Sequence, residues 1–364
     1  MIENLYFVDL CERVLRLCKL TPDETLAVVS DQSLDGMYTD AFLAAATRIG
    51  AAAYCVGVPR LMTDDRGEVV GYPGEGLVRG GTGINALARN RAALDALKGA
   101  DLIIDRINIL FSPQQHELLG RGARILTCTQ AVDHLVRLFP TLEMQEITEA
   151  ACARLDRAKT LRFTNPAGTD VTYDLGYYEA AAQYGFVDRP GRWDHWPSGG
   201  FVYSGASDDG VNGTVVLSKG DQMVPGNRYV SEEVTFTIEE GLITDIRGGT
   251  DALLIRDYME SWNDPDGYRI SHIGWGTDPR AKIHAHAMDG RGITMEARAV
   301  AGNVMFSTGP NTELKIRDSD LWGQNKTPSH LDFPMYGCSL FLDDEPIIID
   351  GKIVDSTAQL APAS

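Results

Sequence analysis

TLAVVSD (25–31), YTDAFLAAATRIG (38–50) and AAAYCVGV (51–58) follow one another near the start of the chain and decide how its first part folds. The first and third are short apolar runs of strand length. The middle one repeats apolar residues every three to four positions and closes on a glycine, as helices do. DLIIDRI (101–107) and RILTCTQ (124–130) repeat the strand signal, and NALARNRAALDALKGA (85–100) supplies a further helix between strands. Strand alternating with helix is the rhythm of an α/β layer, so this part is expected to hold a mostly parallel sheet. The glycine-rich stretch GYPGEGLVRGGTG (71–83) has no Walker lysine and no strand before and helix after a G-x-G-x-x-G. It reads as a long loop rather than a phosphate cradle.

EMQEITEAACARLDRAKT (143–160) reads as a connecting helix, and beyond it the texture changes. LRFTNPAGTDVTYDL (161–175), YVSEEVTFTIEEGLITDIRGG (229–249) and CSLFLDDEPIIIDGKIVD (338–355) are short strand-like runs broken by N-P, E-G and D-G turn signals. A chain of 364 residues is long enough for two domains. The expectation is an α/β domain over 1–150 with a mostly parallel sheet, then a β-rich α+β domain over 151–364 that binds metal.

Composition removes several function classes. No apolar run reaches the roughly 20 residues of a membrane-spanning helix, and the acidic start MIENLYFVDLCERV is unlike a signal peptide. A cytoplasmic protein with no membrane partner is expected. The formal net charge of -18 repels a phosphate backbone, so nucleic acid is not an expected partner. The six cysteines are scattered without a C-x-x-C and read as reduced, buried small hydrophobes.

The chemistry is concentrated in four stretches. In TPSHLDFP (327–334), His330 and Asp332 are two apart, so an extended backbone presents both on one side and turns Leu331 and Phe333 to the other. An imidazole and a carboxylate placed this way can hold one metal ion. GYRISHIGWGTDP (267–279) sets His272 among turn residues and glycines, and FSTGPNTE (306–313) arranges Ser307, Thr308 and Glu313 about a Gly-Pro turn. RPGRWDHWPSGG (189–200) packs Trp193, Asp194, His195 and Trp196 together, a pattern that suits an aromatic slot with His195 at its edge, or a plug between domains. His284 and His286 in KIHAHAM are read as non-ligands, and His116, Asp133 and His134 as solvated helix positions. Two histidines and one carboxylate suit either a non-haem Fe(II) centre or a catalytic zinc. Spacing does not separate the two.

PGRWDHWPSG, ISHIGWG, FSTGPNTE and TPSHLDFP, in this order, resemble the 2,5-dihydroxypyridine 5,6-dioxygenases, a family related in fold to the thermophilic-type metallo-aminopeptidases. The resemblance implies a non-haem, Fe(II)-dependent, extradiol-like dioxygenase of aromatic and pyridine breakdown, which opens a hydroxylated aromatic or N-heterocyclic ring with O2. It implies His272, His330 and Asp332 as iron ligands and His195 as a hydrogen-bonding or proton-transfer group. Phe111, Gln183, Trp193 and Ser307 are then candidate substrate-binding residues. Family likeness and thin sheet edges further predict a homo-oligomer.

Two positions depart from the family pattern. Phe111 stands where the resemblance implies a histidine, and Gln183 where it implies an acid. The expectation is a kept metal site with an altered substrate pocket. The other readings are a metal-dependent hydrolase of the aminopeptidase type, with Glu313 joining a second metal, and a binding protein that kept the fold without the chemistry.

Overall fold

The structure, a computed structural model, describes residues 2–31, 34–59, 85–197, 199–224, 228–285 and 296–354. The stretch 71–83 and His286 lie outside the described residues. The chain divides into two compact units, one of Met1–Pro140 with Gly185–Ser198, the other of Thr141–Tyr184 with Gly199–Ser364.

The first unit is built on a parallel sheet whose strands lie in the order Ala52–Val58, Thr25–Asp31, Leu102–Asp105, Arg124–Thr127 and Trp193–His195. The two central strands Leu102–Asp105 and Arg124–Thr127 are buried along their whole length, which is why they read as unbroken apolar runs instead of alternating ones. Helix Gly36–Ile49 begins where the Asp35 side chain accepts from the Met37 N–H. It stops at Gly50, whose left-handed backbone a side chain would strain. Two features differ from the sequence expectation. A boundary at 150 falls inside helix Leu142–Arg157, which belongs wholly to the second unit, and the segment 185–198 returns to the first unit to add the strand Trp193–His195. A three-residue strand carries too little periodicity to announce its sheet.

The second unit is β-rich. Among the described residues an antiparallel sheet runs in the order Leu242–Gly248, Val234–Glu239, Val211–Leu217, Asp170–Asp174, Thr160–Thr164, Ser339–Leu342, Glu345–Ile349 and Lys352–Ile353. Its hairpins turn where the sequence signalled them: Glu240 with Gly241, and Asp350 with Gly351, all have positive φ, the geometry that matches strand twist in tight hairpins. A second antiparallel sheet runs Leu331–Met335, Val304–Thr308, Ile270–Gly276, Phe201–Gly205, Ala181–Gln183. One face of it, with Val202, Ile273, Trp275, Val304, Phe306 and Phe333, belongs to the unit's apolar core.

Smaller expectations are corrected as well. His134 is 5% exposed, not solvated, because its helix turns that side inward while Asp133 faces out. The six cysteines form no disulfide, but Cys55, on the edge strand Ala52–Val58, is exposed and Cys152 is half-buried rather than buried. Among the described residues no helix is long and apolar enough to cross a membrane.

Candidate metal centre

Directly opposed residues of antiparallel strands share a face. The pairings His272 with Gly205, Gly274 with Tyr203 and with Met305, Gln183 with Phe201, and Ser307 with Asp332 therefore put His272, Tyr203, Phe201, Gln183, Ser307 and Asp332 on the face opposite the apolar core. His330, two residues before Asp332, joins them. Gly274 leaves the room this face needs, because a Cβ there would lie 2.8 Å from the Phe201 ring and 2.8 Å from the Tyr203 Cβ.

His272, His330 and Asp332 converge, each offering one ligand atom within 4.8 Å of the others. Asp332 Oδ1 is 3.2 Å from His272 Nε2 and 3.3 Å from His330 Nε2, and it is buried without a hydrogen-bond partner. The far side of each ring explains why. His330 Nδ1 is 2.8 Å from the Thr308 carbonyl oxygen, which can only accept, so Nδ1 carries the hydrogen. His272 Nδ1 is 2.9 Å from Glu313 Oε1, a carboxylate oxygen that imposes the same tautomer. In the neutral form both Nε2 atoms then present lone pairs toward a third acceptor, an arrangement that a proton or a metal cation between them relieves. The donor set fits a divalent metal.

The electrostatics carry the same signature. Burial alone would lower the His272 pKa, but Asp332 and Glu313 outweigh it and raise it to about 9. Burial would raise Asp332, yet His330 and His272 hold it far below the usual carboxylate range. The two carboxylates thus favour positive charge at this point. A metal ion supplies that charge.

Backbone ties fix each ligand. Ser307 Oγ donates to the His272 carbonyl and accepts from the His272 N–H, holding the strand where its pairing register shifts. The Tyr258 hydroxyl donates to the His330 carbonyl and accepts from the His330 N–H. Asp332 exchanges two backbone bonds with Val224. Gly309 has a φ of +96°, and a Cβ there would strike the Ser329 carbonyl just before His330, so the turn after Thr308 admits little else. Aromatic rings line the face beside the cluster: Tyr203 lies 5.4 Å from His272 and stacks on Phe201 at 5.5 Å.

The other candidates sit as follows. Gln183 shares the metal face, is 2% exposed, and both polar atoms of its amide lack hydrogen-bond partners. Ser307 is fully buried with its hydroxyl hydrogen given to His272. Phe111, Trp193 and His195 belong to the first unit. Trp193 meets His195 edge-on at 5.6 Å. Trp196 is fully buried against Phe42 and Phe139 and donates to the Leu135 carbonyl, so it is a core side chain and not the second wall of a slot. Sequence reasoning missed Tyr258, the Thr308 carbonyl and the true place of Glu313, which anchors the outer nitrogen of His272. Only the nearness of Glu313 to a Gly-Pro turn hinted at it.

The fold and this cluster define a two-unit protein with a two-histidine, one-carboxylate group able to hold a metal ion. The profile of the 2,5-dihydroxypyridine 5,6-dioxygenase family matches residues 6–355, and the chain belongs to that family. It is 39% identical over 357 residues to the 2,5-dihydroxypyridine 5,6-dioxygenase of Pseudomonas putida KT2440, covering 97% of each chain. It superposes on the structure of the 2,5-dihydroxypyridine dioxygenase from that organism with a TM-score of 0.89 at 38% identity, over 98% of this chain and 99% of the other. AmpT from Thermus thermophilus shares the fold, with a TM-score of 0.56 at 14% identity over 96% of this chain and 98% of that one. The chain is thus a ring-cleaving dioxygenase by family, and the hydrolase reading has no comparable support. Its Glu313 is engaged with His272, and among the described residues no second metal cluster is present.

Proposed function

We propose that this chain opens the ring of a hydroxylated N-heterocycle, of the kind 2,5-dihydroxypyridine exemplifies, using O2 and Fe(II) held by His272, His330 and Asp332. The observation that carries the reading is the convergence of two tautomer-locked Nε2 atoms on an orphaned, buried carboxylate oxygen within a chain of this family. When bound, Fe(II) supplies the one-electron chemistry through which O2 reacts with a closed-shell ring.

The chain's own residues position and protonate. Tyr203 and Phe201 give a flat ring an apolar surface to lie against. Gln183 offers a donor and an acceptor side by side, where a carboxylate would only accept. Ser307, its hydrogen already committed, presents at most a lone pair toward substrate. His195 is assigned proton transfer at its imidazole, with Trp193 packed against it, and Phe111 contributes an apolar contact that holds no proton. The lack of a titratable group at 111 and of a charge at 183 is read as favouring a ring other than 2,5-dihydroxypyridine itself. The protein is proposed to be cytoplasmic and homo-oligomeric.

Oxygen uptake by protein reconstituted with Fe(II) under anaerobic conditions, then exposed to a panel of hydroxypyridines and hydroxybenzoates, tests this reading. Uptake matched to loss of one ring's ultraviolet band is expected. No uptake with any ring, or oxygen-independent amide cleavage restored by zinc, overturns it. Light scattering reads the oligomeric state.

A further inference from the structure

Arg106 is the feature of the first unit that the metal chemistry does not use. It is 5% exposed, yet no carboxylate of the described residues lies within ion-pair distance. Its Nε has no hydrogen-bond partner, and among the described residues its guanidinium makes one hydrogen bond, a long 3.4 Å contact from Nη1 to the Asp35 carbonyl. The nearby acids are otherwise engaged: Asp105 accepts from the Ile107 and Ile109 N–H groups and the Thr127 hydroxyl, and Asp35 caps its helix. Nothing among the described residues neutralises this guanidinium directly. Burying a charge without a partner is costly, so such a group points to a partner from outside.

Its place in the sheet supports the same conclusion. Arg106 directly follows the strand Leu102–Asp105, at its carboxyl end. The strand order reverses between Thr25–Asp31 and Leu102–Asp105: the connection leaving the first goes to one edge of the sheet, and the chain re-enters on the other side. Ligands of open α/β sheets sit outside the carboxyl ends of the strands at such a reversal. The guanidinium lies 3.9 Å over the ring of Tyr38, from the helix that follows the first strand, and the Tyr38 hydroxyl is tied to the Gln130 carbonyl, so the platform is fixed. The loop after Arg106 is equally set: Asn108 and Phe111 both adopt positive φ, and the Gln115 side chain accepts from the Phe111 N–H. The buried side-chain oxygen of Asn108, on the same loop, has no partner.

We propose that Arg106, stacked on Tyr38 at the strand-order reversal of the first unit, binds a small carboxylate through the open edge of its guanidinium. A planar fork of N–H donors matches a planar carboxylate better than a tetrahedral anion. The proposal does not depend on which ring is opened.

Calorimetric titration of the full-length protein with acetate and with benzoate, at constant ionic strength set by chloride, tests this. Saturable binding is expected, lost in Arg106→Met and at least roughly tenfold weaker in Arg106→Lys, which keeps the charge without the fork. If Arg106→Met does not fold, the Lys variant alone decides. Carboxylate binding that is absent in the wild type, or unchanged in either variant, overturns the proposal. Inorganic phosphate is the second arm: Arg106-dependent phosphate binding stronger than that of either carboxylate overturns the assigned class.

Discussion

The two faces of the sheet that carries His272 are made from the same strands, and they behave as two different materials. One presents Ile273, Phe306 and Phe333 to an apolar core, and the other presents His272, Ser307 and Asp332 to the metal cluster. Neighbours in sequence therefore do opposite work. Asp332 and Phe333 are adjacent, yet one serves chemistry and the other cohesion. The lesson is that alternation lets a strand be rigid and reactive at once, since the packed face holds the reactive one in register.

The sharpest way to break this comparison is to remove each neighbour in turn. Asp332→Ala is expected to abolish metal binding and oxygen uptake and to lower the thermal unfolding midpoint of the metal-free protein, because its carboxylate is held ionised by the two imidazoles. Phe333→Ala is expected to cost about 3–5 kcal/mol in denaturant unfolding, through the cavity it leaves. If the two changes produce the same loss of stability, the faces are not independent.

Two buried carboxylates near the Leu331–Met335 strand sharpen it further. Asp332 faces two imidazoles and is held ionised, whereas the Asp221 carboxylate accepts from the Ser218 and Tyr336 N–H groups, and burial pushes it up to about 6. A carboxyl raised on folding binds its proton more tightly in the native state. Stability is then lost as pH rises from the ordinary carboxylate range to about 6, and the full penalty persists above that. Relative to Asp221→Asn, the wild type should lose about 3 kcal/mol over that window in urea unfolding. A flat difference between the two proteins would show that Asp221 is ionised at no cost.

Smaller effects probe how the reactive face is held. Glu313→Gln keeps the shape but weakens the anchor on His272, and metal affinity should fall roughly 10–100-fold by competition with a chelator. Ser307→Ala removes both bonds to the His272 backbone and should cost about 1 kcal/mol of stability with a few-fold loss of turnover. An Ser307→Ala protein with full turnover would place the register of this strand under the control of its neighbours alone.

Much of this could be read from local pattern. The parallel sheet was legible in TLAVVSD and DLIIDRI because strands buried on both faces must be apolar throughout. The tight hairpins at Glu240-Gly241 and Asp350-Gly351 were legible because positive φ favours glycine. His330 and Asp332 were legible as a pair because a strand repeats every two residues. The strand Trp193–His195 was less so: its tryptophans suggested one aromatic slot, but Trp196 lies in the core of the first unit. Glu313 was visible as a carboxylate and misplaced as a ligand, since nothing local says which atom of His272 it meets.

The sequence by itself determined the strands, the turns and the side of the strand on which each polar residue falls, because these follow from backbone geometry over a few residues. Only the tertiary structure decided that His272 meets His330 and Asp332, that Glu313 and the Thr308 carbonyl lock the ring tautomers, and that Arg106 is buried without an acidic partner among the described residues. The pairing register of distant strands arises from packing and shared hydrogen bonds across the whole unit, and no short stretch of chain contains that information.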